Sequence, residues 1–325
     1  MTPLLSINPS NGMVIKSYPQ YSYERITKIL NHAAEAQNNW KNTNLKFRLE
    51  RIKQLSEILS ERKIEYASLM AQEMGKPLKQ GIGEIEKCIW LCNYYILNSD
   101  EFLKDKTIET DGQKSFVTIQ PIGLVLGIMP WNFPFWQVFR FAIPCLISGN
   151  GAILKHASNV QGCGFAIESS FVNAGFPKFL FQNISVSGKR VSKIIKNSKI
   201  SAVTLTGSTP AGKSVAEVAG GVLKKTVLEL GGSDPYVILR DANIKKAIDS
   251  CINGRILNTG QSCISAKRLI VVKDIHDQFL DGLKKELMGK IMGDPNDNVD
   301  IGPMVSLEAR DEVHDQVLKS IQQGS

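Results

Sequence analysis

The sequence predicts an α/β protein: a doubly wound parallel sheet, then a second α/β unit, with a protruding β-hairpin on the first. Two observations carry this. Between residues 122 and 230, short runs rich in Val, Ile and Leu alternate with helical stretches, the pattern of parallel strands joined by crossover helices. Those runs are continuously apolar rather than alternating, as strands covered on both faces are. The N-terminal third, by contrast, reads as helix.

In chain order, residues 1–20 read as an irregular lead-in with turn signals at Asn8-Pro9-Ser10-Asn11-Gly12. Over 23–40, Ile26, Ile29, Leu30, Ala33 and Ala34 recur at helical spacing. Further helices are expected over 45–60, 61–74 and 78–102, the second of these stopped by Gly75-Lys76-Pro77. The period then changes. Residues 107–120 alternate about Asp111-Gly112, a hairpin pair, and their polar outer positions predict a ribbon that joins another subunit or a distant strand.

Strand 122–129 runs into Pro130-Trp131-Asn132-Phe133-Pro134-Phe135-Trp136, and a helix follows through Ile147. Strand 152–154 ends at Lys155, and helix 162–173 stops at Gly175-Phe176-Pro177. Strand 179–184, helix 189–196 and strand 200–205 follow. The last enters Thr206-Gly207-Ser208-Thr209-Pro210-Ala211-Gly212, which opens a helix to Ala219, and strand 226–230 closes the series. Right-handed crossovers are expected, with ligands bound at the carboxyl ends of the strands. Beyond Gly231-Gly232 come strand 236–239, helix 244–257, a polar loop holding Cys263, strand 269–272 and helix 275–288. The division is thus 1–106 with 121–231 as one domain, 107–120 as the ribbon, and 232–325 as another.

The 325 residues are 43% hydrophobic and 22% charged, an ordinary globular composition with enough chain for two domains. The net charge of +8 is spread along helical segments rather than gathered in blocks. This argues against a nucleic-acid binder and for a basic surface that favours anionic small molecules. Six cysteines show neither CxxC nor Cys/His metal spacing, so no metal is expected, and a chain this long needs no disulfide staples. Cys88 and Cys92, four apart on a helical pattern, should face one core. The first residues lack the order of a signal peptide, and no apolar run reaches the roughly 18 residues of a membrane span. A reducing cytoplasm is the expected setting.

Four places could carry chemistry. Cys263 stands among Asn, Thr, Gly, Gln and Ser, where an accessible thiolate could act as a nucleophile; the alternative is a small buried hydrophobe. Asn132 follows a strand; its carboxamide could hold a developing oxyanion or simply cap the turn. Glu229 lies in an apolar strand, where burial would make it a stronger base near neutral pH; the alternative is a buried carboxylate bonded to backbone amides. The Gly207 loop could admit a phosphate to a helix start, although the strict G-x-G-x-x-G fingerprint is absent, and a tight turn is the alternative. Lys155 could hold a ribose or phosphate, or be an ordinary exposed lysine.

Pro130-Trp131-Asn132-Phe133-Pro134, Leu154-Lys155, Thr206-Gly207-Ser208, Leu228-Glu229-Leu230-Gly231-Gly232 and Gly260-Gln261-Ser262-Cys263 resemble, in order and spacing, the motifs of the NAD(P)-dependent aldehyde dehydrogenase superfamily. The stretches 154–160 and 230–235 look like those of its bacterial succinate-semialdehyde dehydrogenases. The resemblance covers essentially the whole chain. It implies a Rossmann-like domain and the following roles. Cys263 would be the nucleophile, Asn132 with the Cys263 N–H the oxyanion hole, and Glu229 the general base. Met129, Pro130, Trp131, Lys155, Ser158, Gly207, Ser208, Leu230 and Gly231 would line the site of NADP or NAD. Position 158 is often Glu in NAD-preferring members; Ser158 neither crowds nor repels a 2′-phosphate. Arg140 matches the arginine that grips the substrate carboxylate, with Trp136 beside the substrate.

The resemblance also implies a homo-oligomer, dimer or tetramer, for the full-length form. Members usually run well past residue 325, through a Glu-x-Phe-Gly-Pro motif, the rest of the catalytic domain and a strand that joins the 107–120 ribbon. The expectation is therefore a truncated chain with little or no turnover of its own. Two further readings stand beside it: an aldehyde dehydrogenase of other specificity, and an inactive remnant that keeps nucleotide binding or docks into full-length subunits.

Overall fold

A computed structural model of the chain describes residues 1–324. Its first element corrects the expected irregular lead-in. Strands β1 (Leu4–Ile7) and β2 (Val14–Tyr18) form an antiparallel hairpin around the turn residues. The strand period was hidden because an inward position of β1 is polar: buried Ser6 bonds Glu73, and β2 is exposed except at Tyr18.

The helical N-terminal third is as expected. Helix α1 (Tyr23–Trp40) is capped by Ser22, and α2 (Leu45–Glu61) by Asn44. Helix α3 (Lys63–Met74) ends at Gly75, which adopts φ 75° as a left-handed cap, and α4 (Leu78–Leu103) follows. The ribbon is slight: β3 (Lys106–Thr107) and β4 (Phe116–Val117) pair over two residues each.

The first unit is completed by β5 (Leu124–Met129), α5 (Trp136–Ile147), β6 (Gly151–His156), α6 (Gln161–Asn173), β7 (Phe181–Asn183), α7 (Val191–Ile195), β8 (Ile200–Thr206), α8 (Thr209–Gly220) and β9 (Lys225–Glu229). These strands form one parallel sheet in the order β7-β6-β5-β8-β9. The chain winds outward from β5 to β7, then returns to β8 on the other side of β5. The crevice between the carboxyl ends of β5 and β8 is therefore the switch point where such sheets hold ligands.

Helices cover both faces. One apolar cluster joins α2, α3 and α4 to α5 and α6 through Leu55, Met70, Ile85, Phe139 and Phe171, and Cys88 and Cys92 share it. The other joins α1, α7 and α8 to the sheet through Leu30, Leu126, Ile194, Val203 and Val215. Each such side chain contributes about 1.5–3 kcal/mol when fully buried. Gly127 lets α5 approach: a Cβ there would lie 2.3 Å from the Phe141 ring.

In the second unit, β10 (Pro235–Ile238) and β11 (Arg268–Val271) pair in parallel, linked through α9 (Ile244–Ile256), and α10 (His276–Met288) packs with α9. Ile238, Ile248, Cys251, Ile252 and Phe279 form its small core. An irregular stretch then returns to the first unit, where Leu78 N–H donates to Pro295 O at 2.8 Å. Helix α11 (Leu307–Gln322) was not expected from the sequence. None of its residues is buried, although Val313, Val317 and Ile321 stand one turn apart. No helix among the described residues is long and apolar enough to cross a membrane.

Candidate active site

The loop after β5 is fixed from below. His156, the last residue of β6, is wholly buried, and burial pushes its pKa down to about 4. Its Nδ1 accepts the Ala157 N–H at 2.9 Å, so the neutral ring carries its proton on Nε2 and donates to Pro134 O at 3.0 Å. The start of α5 is held by Glu84, whose Oε1 accepts the N–H groups of Phe135 and Trp136 at 2.8 and 2.9 Å. Glu84 is itself paired with buried Lys76. Lys76 Nζ also donates to Asn132 O at 2.9 Å and lies 4.0 Å from the Phe133 ring centre.

The cysteine loop is strained and clamped. Asn258, Thr259 and Gly260 have φ of 54°, 58° and 74°. A β-branched residue in that region is costly and persists only when its surroundings dictate it. Here Thr259 Oγ1 bonds both the N–H and the O of Gly302 at 3.2 Å, Asn258 N–H reaches Gln80 Oε1 at 2.7 Å, and Val305 N–H reaches Gln261 Oε1 at 3.0 Å.

Asn132 joins this loop twice. Its Nδ2 donates to Gln261 O at 3.0 Å, and its backbone O accepts Asn258 Nδ2 at 2.8 Å. Cys263, two residues after Gln261, is half-buried. The role of small buried hydrophobe falls instead to Cys88, Cys92, Cys163 and Cys251, and burial pushes the Cys145 thiol up to about 12. Lys267 Nζ ties the Cys263 loop to the turn after β9, donating to Cys263 O and Gly232 O at 2.7 and 2.6 Å.

Glu229 is a correction. It was expected to be buried within an apolar strand, but its side chain is 54% exposed. Strand β9 is the outermost of its sheet, and the face that carries Lys225, Val227 and Glu229 is open. The carboxylate lies 3.3 Å from Arg140 Nη2. Both line a cavity of about 480 Å³ with Gln137, Thr206, Met129 and Val125. The structure thus brings Arg140 and Glu229 together. Trp136 does not join them: it packs under Lys87 Nζ, 4.0 Å from its ring centre.

The remaining expected residues all lie at carboxyl ends of the sheet. Met129 ends β5 and Pro130 and Trp131 follow it, while Lys155 is the penultimate residue of β6, opposite Ile128, with Ser158 just beyond the strand. Lys155 is not an ordinary exposed lysine. It is 8% exposed, and burial alone lowers its pKa to about 8 with no carboxylate to oppose it. An unpaired ammonium in such a place fits a ligand rich in hydroxyl or anionic oxygen. Gly207 N–H bonds Glu229 O at 3.0 Å, and Ser208 caps α8, accepting the Ala211 N–H at 3.4 Å. The start of α8 therefore faces the same crevice, with a helix dipole that favours anions. Leu230 rests on Gly212, where a Cβ would lie 2.6 Å from its Cδ2, and Gly231 follows it, exposed. Lys76, Gln80, Glu84, Asn258 and His156 were not singled out from the sequence. For Gln80 and Glu84 the signal available was polar residues within a helical pattern; Lys76, Asn258 and His156 lie outside the α-helices.

Residues 2–325 match the aldehyde dehydrogenase family. A probable succinate-semialdehyde dehydrogenase [NADP(+)] of Synechocystis sp. is 41% identical over 99% of the chain and 71% of its own length. The succinate semialdehyde dehydrogenase [NAD(P)+] of Escherichia coli is 39% identical over 100% of the chain and 70% of its own length. Among solved structures, succinic semialdehyde dehydrogenase from Streptococcus pyogenes in complex with NADP+ superposes with a TM-score of 0.96. It is 33% identical, and the match covers 99% of this chain and 71% of that one.

Proposed function

The chain belongs to the aldehyde dehydrogenase family, and on that premise we propose that it serves the oxidation of succinate semialdehyde to succinate, with NADP or NAD as hydride acceptor. The observation that carries this reading is the double clamp between Asn132 and the Cys263 loop, which sets a carboxamide donor beside a strained loop bearing an accessible thiol.

Cys263 Sγ attacks the aldehyde carbon. Asn132 Nδ2 has two N–H groups, of which one is used on Gln261 O; the other meets the developing oxyanion together with the Cys263 N–H. A bound nicotinamide supplies the hydride acceptor. Lys155, Ser158, Gly207 and Ser208 would hold the dinucleotide, and the small Ser158 leaves room for a 2′-phosphate. After hydride loss the acyl group sits on Cys263 as a thioester, and Glu229 takes a proton from the water that hydrolyses it. A base in that position favours hydrolysis over transfer to coenzyme A.

Arg140 supplies the reason for an ω-carboxylate substrate. A half-exposed ion pair such as Arg140–Glu229 is worth about 0–1 kcal/mol, so a substrate carboxylate can displace Glu229 from the guanidinium and leave it free to act as base. The test is protection of Cys263 from iodoacetamide, followed by mass spectrometry of the labelled peptide. Succinate semialdehyde should protect at lower concentration than butanal, and Arg140→Leu should abolish the difference. Equal protection by the two aldehydes in the unaltered chain would overturn the substrate reading, and no protection by either would overturn the role of Cys263.

A further inference from the structure

A polar stripe crosses an otherwise apolar wall. Gln80 and Glu84, four apart, share one face of α4, and Lys76, in the turn just before the α4 cap, reaches that face through its pair with Glu84. Lys76 and Glu84 side chains are only 1% and 2% exposed and pair with each other. Burial in this way seldom adds stability, because desolvation offsets the attraction. What distinguishes the stripe is where its other bonds go.

Each member ends on a different part of the candidate active site. Lys76 Nζ donates to Asn132 O at 2.9 Å. Gln80 Oε1 accepts the Asn258 N–H at 2.7 Å, and its Nε2 donates to Asp300 O at 3.1 Å. Glu84 Oε1 accepts the first two N–H groups of α5 at 2.8 and 2.9 Å. Asn258 closes the circuit by donating from Nδ2 to the same Asn132 carbonyl, at 2.8 Å.

We propose that Lys76, Gln80 and Glu84 are positioning residues, which hold the Asn132 loop and the strained Asn258–Gly260 turn in one relation so that the Asn132 amide meets the oxygen, and the Cys263 sulfur the carbon, of the same carbonyl group. This rests on Cys263 being the nucleophile. The left-handed turn needs an external acceptor because the Asn258 N–H cannot find one within its own helix end, and Gln80 supplies it. A single substitution of Lys76 or Glu84 would strand a buried charge, so the half-exposed Gln80 carries the test.

The assay is the burst of nitrophenolate released from p-nitrophenyl acetate by the purified chain. Cys263 sulfur forms a bond to the acetyl carbon, nitrophenolate leaves with the electron pair of the broken ester bond, and the thiol proton passes to water. The reaction goes through a tetrahedral oxyanion. Iodoacetamide alkylates the same sulfur by displacing iodide, with no oxyanion at the attacked carbon. Gln80→Met should slow the burst roughly ten- to a hundredfold, the scale of a misplaced reacting group. The alkylation rate and the urea midpoint should hardly move. Gln80→Glu, which keeps the acceptor, should restore the burst. An unchanged burst in Gln80→Met overturns the proposal. So does a loss matched in alkylation and urea midpoint, because that is the mark of a merely structural role. An unaltered chain without a burst, or a burst that survives Cys263→Ser, overturns the reading of Cys263 and this proposal with it.

Discussion

Lowering the pH should unfasten the loop after β5 through a single group, His156. Its ring is fully buried and neutral, with a pKa pushed from 6.5 down to about 4 by desolvation. Because the folded pKa is the lower one, the unfolded chain takes up the proton first as the pH falls. The stabilisation is whole above 6.5, declines between 6.5 and about 4, and is constant below that. At about 1.4 kcal/mol per unit, the whole window is worth about 3 kcal/mol. Buried Glu73 and Glu168, whose carboxyls burial pushes up, work in the opposite sense, so the raw curve is a sum. Subtraction isolates the histidine. His156→Gln keeps an N–H donor for Pro134 O but does not titrate. Urea unfolding of both chains from pH 8 to pH 4 should show a stability difference that is constant above 7 and shifts by about 3 kcal/mol in favour of the variant by pH 4. Parallel curves across that window would refute the assignment of a neutral, buried His156.

Three further outcomes follow from single sites. Asn132→Ala should cost about 3 kcal/mol in the acylation of Cys263, read as a burst slowed by about a hundredfold or more; a burst within threefold of normal would remove Asn132 from the oxyanion hole. Lys155→Met should weaken NADP binding by calorimetry while raising the stability of the ligand-free chain, because it removes an unpaired buried ammonium. In the unaltered chain NADP should bind with proton uptake above about pH 8, and binding unchanged by the substitution would refute the cofactor role. Gly127→Ala should destabilise the chain by about 1–3 kcal/mol, since the new Cβ falls 2.3 Å from Phe141. An unchanged urea midpoint would mean α5 shifts freely on the sheet.

Local patterns made much of the molecule legible. Helix α1 could be bounded to the residue, because Ser22 caps it and its apolar stripe is regular. The parallel sheet could be read because strands covered on both faces must be continuously apolar. The same logic failed where an inward position is polar, as at Ser6 of β1, and where nothing is covered, as along α11. Trp136 was assigned to the substrate from its place in the chain. Its ring direction depends on α4, where Lys87 Nζ lies over it.

By itself the sequence determined the family and the order of elements from α1 to α10, and it singled out Cys263, Asn132 and Glu229 as candidates, because turn chemistry and motif spacing are properties of neighbouring residues. The tertiary structure decided what those residues meet. Only the sheet order left Glu229 on an outer strand beside Arg140, rather than in the core. Only the packing of α4 showed that Lys76, Gln80 and Glu84 reach three separate segments around the cysteine. Burial and pairing across the fold are long-range facts, and no local pattern of side chains encodes which partner a buried charge will find.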